Sequence, residues 1–257
     1  MVYIIFILVA LASYWVQSSL QSKFRRYSRV PLDVPLRGND VASRMLQAHG
    51  LGNIRVTSTG GSLTDFYNPT NQSVNLSETV YNVNSVAAAA VAAHECGHAV
   101  QHAYGYSPLK MRTALVPVVN FASQWMTWVL LAGILLINIF PQVMLVGICL
   151  FALTTLFSLI TLPVEIDASR RAIHWLDHAG ITQGETTTMA KDALRAAAYT
   201  YVVAALGSLA TLVYYILVFT WSIIDCKYNQ KSSNYSIQIH KYFKYPELFT
   251  IIIQRRG

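Results

Sequence analysis

Long uncharged hydrophobic runs alternate with polar segments along this chain. Four runs are long enough to cross a membrane, namely residues 2–17, 114–138, 142–164 and 202–224. Because about 20 apolar residues in a helix span the hydrocarbon core of a bilayer, we predict four transmembrane helices. The first run has no basic segment before it and is followed by the basic cluster KFRR, which favours a membrane anchor over a cleaved signal peptide.

The polar segment 19–113 has the patterns of a small α+β unit. The stretch DVASRMLQAHGL has apolar positions at helical spacing, and Gly50 is placed to end that helix. Three short strand-like runs follow, NIRVTST, SLTDFY and SVNLS, joined by turn-forming residues. Asn84 or Ser85 can then cap a second helix that reaches about Tyr104.

These patterns predict a mostly α membrane protein with about four transmembrane helices and one small α+β unit. The expected parts are an N-terminal anchor (1–18), the α+β unit (19–113), two transmembrane helices (114–164), a polar helical segment (165–201), a further transmembrane helix (202–224) and a tail (225–257). The tail shifts in composition to Lys, Tyr, Asn and Ile, and we assign it no function.

Composition and charge agree with a membrane location. The chain is 54% hydrophobic and only 12% charged, which is too apolar for an ordinary soluble domain. Its net charge of +7 fits contact with anionic lipid, and nothing indicates nucleic-acid binding. Lys and Arg are enriched on the cytosolic side of membrane proteins. Residues 18–113 contain nine of them and residues 165–201 contain four, which predicts that both polar segments face the cytosol. The tail would then lie outside, and its basic residues argue against this orientation. The three cysteines lie too far apart in sequence to suggest a disulfide framework.

The stretch VAAHECGHAVQH contains the pattern H-E-x-x-H. On a helix, His94 and His98 lie one turn apart on the same face, so their imidazoles can bind one zinc ion. Glu95 lies about 100° round the helix, where its carboxylate can reach a water molecule beside the metal without binding the metal itself. The alternative is an Ala-rich packing helix with two core histidines. Gly97 costs about 1 kcal/mol relative to Ala in a helix, which indicates a close approach by another segment.

The third zinc ligand must come from outside this motif. A helix rises about 12 Å between His94 and His102, too far for one zinc ion, so we expect His102 to pack beside the site or at the membrane interface. Glu165 directly follows the third hydrophobic run, and two membrane crossings return it to the membrane face of His98. Glu165 is therefore the favoured ligand; the alternatives are a solvated helix start and an ion pair with Arg170.

Four blocks, LTDFYNP, AAHECGHAVQHA, LPVEIDASRRA and LRAAAYTYVVAAL, resemble the YugP-like family of membrane zinc metallopeptidases over roughly residues 20–222. This family is similar to the HtpX and CAAX-protease gluzincins, whose second motif is E-x-x-x-D. Here the fifth position of that motif is Ser169, and Asp167 lies two residues after Glu165. The aspartate of the motif orients a ligand histidine, and either Asp167 or Ser169 can take that role. The resemblance implies a zinc-dependent endopeptidase in a bacterial cell membrane.

The sequence therefore predicts a zincin-like unit that holds one zinc ion per chain and hydrolyses peptide bonds in membrane or membrane-associated proteins. A zinc-activated water would attack the peptide, with Glu95 as general base. The strand SLTDFY is expected to offer an edge to an extended substrate, with Asp65 and Tyr67 at its rim. One alternative is a non-catalytic zinc-binding membrane scaffold, which would not need Glu95. A zinc transporter would need polar metal ligands within its spans, and these spans have almost none.

Overall fold

The fold is mostly helical, as predicted. It is seen in a computed structural model that describes the backbone of residues 2–244 and the side chains of residues 6–224. The elements within that range are α1 (Val2–Tyr27), α2 (Gly38–Ala48), β1 (Arg55–Thr59), β2 (Phe66–Asn68), β3 (Ser73–Ser77), α3 (Glu78–Tyr81), α4 (Val86–Ala103), α5 (Ser107–Leu135), α6 (Pro141–His178) and α7 (Glu185–Lys244).

The three strands form one small sheet in the order β1-β3-β2. β1 pairs with β3 in parallel, with Val56 opposite Val74. β2 pairs with β3 in the antiparallel direction, with Tyr67 opposite Val74. β1 and β3 lie within the predicted runs, whereas β2 begins inside the run SLTDFY and extends one residue beyond it, to Asn68. β2 is an edge strand, because within the described residues it pairs on one side only.

The sheet and two helices share one buried core. Val41, Met45 and Leu46 of α2 are buried in the same cluster as the alanines of α4, which are small enough to let the helices pack closely. The predicted ends are confirmed: Gly50 follows α2 with a φ of 72°, a left-handed conformation that glycine adopts easily. Ser85 caps α4, because its Oγ accepts a hydrogen bond from the backbone N–H of Ala88 at 3.1 Å.

Three helices are long and apolar enough to cross a membrane, and each overlaps one of the four predicted spans; the helix that begins at Ser107 ends three residues before the predicted span 114–138 does. They are Ser107–Leu135, Pro141–His178 and the Glu185–Ile224 part of α7. The first predicted span lies in α1, a 26-residue helix, and its membrane crossing stays a prediction. The predicted segment boundaries at 164/165 and 201/202 fall inside α6 and α7, each of which is one continuous helix. In the tail, the α7 backbone extends to Lys244, and residues 245–257 lie outside the described residues.

The chain divides into two compact units. The first contains residues 1–122 and 153–211, and it holds the sheet, the H-E-x-x-H helix and the start of α7. The second contains Ser123–Ala152 together with α7 from Leu212. The second unit has its own small core of Leu130, Met144 and Ile148. All residues of the site described next belong to the first unit.

Candidate metal centre and active site

Helix α4 places the two motif histidines side by side, and α6 brings a carboxylate to them. The ring centroids of His94 and His98 lie 4.7 Å apart. Glu165 Oε2 lies 3.2 Å from His94 Nε2 and 3.6 Å from His98 Nε2. The Glu165 side chain is buried, so it is not a solvated helix start. Three donor atoms from two distant segments therefore meet at one point, as the sequence predicted.

The donor set fits a zinc ion. Two imidazole nitrogens and one carboxylate oxygen are a common protein ligand set for zinc that keeps an open coordination position. Tetrahedral ligands at zinc distances are separated by about 3.4 Å. The two Nε2–Oε2 distances, 3.2 and 3.6 Å, lie on either side of that value. The three residues could thus hold a metal ion with only small adjustments.

Gly97 allows this convergence. A methyl group at Gly97 would lie 2.7 Å from the carbonyl oxygen of Ala168, closer than a carbon side chain can approach. The backbones of α4 and α6 are therefore in close contact. On α4 the contact lies between the two motif histidines, and on α6 it lies at Ala168, three residues after Glu165. The close approach that Gly97 indicated in the sequence is present, and α6 is the segment that makes it.

Substituting Gly97→Ala should push α4 and α6 apart and weaken the metal centre. We expect a loss of about 1–3 kcal/mol in the free energy of unfolding, as for other overpacked interiors, together with weaker zinc binding. Thermal unfolding and bound zinc per chain measure both effects. Gly60→Ala is the matched control, because a methyl group there has no neighbour within 4 Å. Equal stability and zinc content in both variants would contradict the role given to Gly97.

A buried glutamine determines that the Nδ1 atom of His98 carries a proton. Gln101 Nε2 donates to the carbonyl oxygen of Val164 and to Asp167 Oδ2, each at 2.8 Å. Both partners only accept, so the amide oxygen of Gln101 must face His98 Nδ1, 3.1 Å away. That oxygen also only accepts, so Nδ1 carries the proton and donates it. In the neutral imidazole the lone pair then lies on Nε2, the ring nitrogen that faces Glu165 Oε2, so Nε2 is the atom available to a metal ion.

Ser169 and Asp167 support different histidines. Ser169 Oγ lies 3.1 Å from His94 Nδ1, a direct contact. Asp167 reaches His98 only through Gln101, and it also accepts a hydrogen bond from Arg171 Nε at 2.7 Å. The sequence left open which residue takes the place of the second-motif aspartate. In the structure, each of the two contributes to holding one histidine.

Glu95 lies in the same cavity as the three donor atoms. Its carboxyl group is buried, and this burial raises its pKa, while the neighbouring His94 and His98 act in the opposite direction. A carboxylate with a raised pKa accepts a proton more readily than an exposed one. The role of Glu95 as general base stays a prediction.

The candidate groove residues also line the cavity, with unequal roles. Asp65 accepts hydrogen bonds from the backbone N–H and the hydroxyl of Ser77, at 2.7 and 3.1 Å, so it holds the end of β3. Burial raises the pKa of Asp65, and the two Ser77 bonds oppose that rise. Tyr67 OH lies 3.1 Å from Nδ1 of His102, which also lines the cavity.

The cavity residues that were not anticipated from the sequence include Arg112 of α5 and Tyr201 of α7. Arg112 Nη1 lies 3.9 Å from Glu165 Oε1, so the ion pair of Glu165 is with Arg112 and not with Arg170. The Nε atom of Arg112 is buried and has no hydrogen-bond partner within the described residues. The cavity measures about 210 Å³. It thus contains a basic side chain and a phenol beside the metal position.

Comparison with known proteins identifies the family of this chain. The chain is 40% identical over 220 residues to the "Putative membrane protease YugP" of Bacillus subtilis (strain 168), a match that covers 85% of this chain and 97% of the relative. No solved structure matches the chain. The family described as "Putative neutral zinc metallopeptidase" matches residues 2–220. The resemblance noted in the four sequence blocks is thereby confirmed, and the chain belongs to this family of zinc metallopeptidases.

Proposed function

We propose that this protein is a membrane-embedded zinc-dependent endopeptidase that acts on membrane or membrane-associated proteins. The observation that carries the proposal is the meeting of His94 Nε2, His98 Nε2 and Glu165 Oε2 in a cavity that also contains Glu95. A structural zinc site has no need of a buried carboxylate beside its ligands. The presence of Glu95 therefore supports an enzyme over a scaffold.

The chemistry follows from the side chains around the metal position. A zinc ion bound by His94, His98 and Glu165 would polarise the peptide carbonyl and lower the pKa of a water molecule. Glu95 is placed to accept the proton of the attacking water and to deliver it to the leaving amine. Arg112 and Tyr201 line the same cavity and can donate hydrogen bonds to the carbonyl oxygen as negative charge develops on it.

The edge of β2 supports binding of an extended peptide. Asp65, Phe66, Tyr67 and Pro69 line the cavity, so this strand runs beside the metal position. Within the described residues, one side of β2 has no paired strand, and its backbone groups can hydrogen-bond to a substrate strand. Such hydrogen bonds contact only the backbone of the substrate, so they are compatible with an endopeptidase that accepts varied side chains.

Removal of the metal tests the proposal directly. The full chain, purified in detergent, should cleave an unfolded protein such as casein, or itself, and should lose this activity in a zinc chelator. Adding zinc back should restore cleavage, because the close packing of α4 against α6 at Gly97 brings the ligands together. Elemental analysis before and after chelation gives the zinc content. Full cleavage by a preparation shown to be metal-free would refute the proposal.

A further inference from the structure

We propose that a second cavity, between the end of α1 and the start of α7, binds the phosphate-bearing headgroup of an anionic phospholipid. This cavity measures about 510 Å³ and shares no residue with the metal centre. Charged side chains dominate its lining; they are Arg26, Glu185, Lys191, Asp192 and Arg195. The zinc chemistry described above uses none of them.

The cavity has an excess of positive charge. Asp192 accepts hydrogen bonds from Lys23 Nζ and from the hydroxyl of Tyr27, each at 2.7 Å, so its charge is compensated within the fold. The three remaining basic residues, Arg26, Lys191 and Arg195, are exposed. Within the described residues, none of these three forms an ion pair. Only Glu185 opposes them, so the lining attracts an anion.

The packing of α1 against α7 places the cavity at the depth of lipid headgroups. Two contacts fix this packing: Val9 lies against Gly207, and Lys23 pairs with Asp192. The two helices are therefore antiparallel. Fourteen or fifteen residues of helix separate the two contacts, a rise of about 21–22 Å. The uncharged apolar runs end at residue 17 of α1 and begin at residue 202 of α7, so Arg26 and Arg195 lie about 10–14 Å of helix beyond them. Long arginine side chains extend along a helix and can cover the remaining distance to the headgroups.

The exposed apolar side chains of α1 and α7 favour a lipid over a soluble phosphate as the ligand. α1 exposes large apolar side chains before its basic end, among them Leu11 and Trp15, which are 60% and 72% exposed. α7 likewise exposes Leu206 beyond its basic start. Such side chains are stable against acyl chains, whereas a soluble anion would gain nothing from them. One amphipathic ligand can thus satisfy both the charged cavity and the apolar helix surfaces that lead into it.

The cavity also adjoins the zinc-binding helix. Tyr27, which lines it, is buried together with Ala193 of α7 and Ala87 of α4. Ala87 lies seven residues, about two turns, before His94. A headgroup bound to α1 and α7 would therefore stabilise the packing behind α4. We expect anionic lipid to raise the melting temperature of the protein.

Lipid binding to the full chain tests the proposal. The delipidated protein in neutral detergent is titrated separately with phosphatidylglycerol, phosphatidylcholine and inorganic phosphate. Native mass spectrometry counts the bound molecules, and thermal unfolding reports stabilisation. We expect about one saturable phosphatidylglycerol per chain, bound at least about 10-fold more tightly than phosphatidylcholine, because each basic residue adds to the attraction. Equal binding of the two lipids would overturn the proposal. Equal stabilisation by inorganic phosphate at the same concentration would also overturn it, because the ligand would then be a soluble anion.

Two variants and one control localise the site. The triple variant Arg26→Gln, Lys191→Gln, Arg195→Gln should lose the preference for phosphatidylglycerol. The variant Glu185→Gln should bind it severalfold more tightly, a gain that a folding defect cannot produce. The matched control Arg25→Gln, Arg29→Gln, Arg44→Gln removes the same charge from exposed positions outside the cavity and should keep the preference. An equal loss in the control, or none in the triple variant, would show that general surface charge attracts the lipid.

Discussion

The substitution Glu95→Gln is expected to abolish peptide cleavage and to leave about one zinc ion bound per chain. Glutamine keeps the size of the side chain but cannot accept the proton of the attacking water. Loss of a general base typically reduces turnover about 10²–10⁴-fold. The metal should remain, because His94, His98 and Glu165 supply the donor atoms. Cleavage rate and zinc content, measured on the same preparation, test both parts of this prediction.

Glu78→Gln is the matched control for this variant. Glu78 is an exposed glutamate at the start of α3, outside the cavity, so the same change there should leave cleavage unaffected. If purified Glu95→Gln protein cleaves at a rate near that of the wild type, another group must serve as the base. If it loses zinc, Glu95 contributes to the metal site itself.

For the third ligand, Glu165→Ala is expected to remove zinc and activity together. Two histidines alone hold zinc weakly, because a catalytic zinc usually has three protein ligands. Glu185→Ala should change neither property, since Glu185 is exposed and lies outside the metal cavity. Elemental analysis and peptide cleavage on both variants give the comparison. Stoichiometric zinc in the Glu165→Ala protein would show that a different residue is the ligand.

The supporting residues should behave differently from Glu165. Ser169→Ala and Asp167→Ala leave all three donor atoms in place but remove contacts that orient His94 and His98. Such changes usually reduce metal affinity or activity about 10–100-fold. We therefore expect zinc to stay bound at saturating concentration while turnover falls. Complete loss of zinc in Asp167→Ala would indicate that Asp167 is the metal ligand and Glu165 the supporting carboxylate.

The part of the site that local spacing determines could be predicted from the sequence. The four-residue spacing of His94 and His98 fixes their common face on any helix, and Glu95 follows from the same geometry. Glu165 could be found because two predicted membrane crossings would return the chain to one face. The same spacing could also have assigned Ser169, which is four residues after Glu165 and so shares its face of α6. Asp167, two residues after Glu165, points elsewhere and meets Gln101 instead.

The residues that tertiary packing alone directs into the cavity could not be predicted. Arg112 precedes a hydrophobic run by two residues, where an arginine normally faces the lipid headgroups. Nothing nearby in the sequence shows that it turns towards Glu165. Tyr201 stands among alanines at the edge of the last hydrophobic run and resembles an interfacial tyrosine. Both positions depend on how α5 and α7 pack beside α4, which no local pattern encodes.

The polar ends of α6 and α7 were predicted as a separate segment because composition changes at 164 and 201. A change in composition does not end a helix, however, when the following residues still favour helix. Pro163 lies inside α6 without ending it, and α6 continues to His178, before the Gly180 turn. Glu165 thus lies on the same unbroken helix as the membrane span that precedes it.

This continuity has a consequence for the biogenesis of the protein. The ribosome makes His94 and His98 first, but their partner carboxylate follows 67 residues after His98, at the far end of two hydrophobic helices. A nascent chain that has not yet inserted those helices lacks the third donor atom. The newly made polar segment therefore stays without a complete metal centre until the membrane helices are in place. Completion of the metal-binding group is thereby coupled to the synthesis of α6 and to its packing against α4.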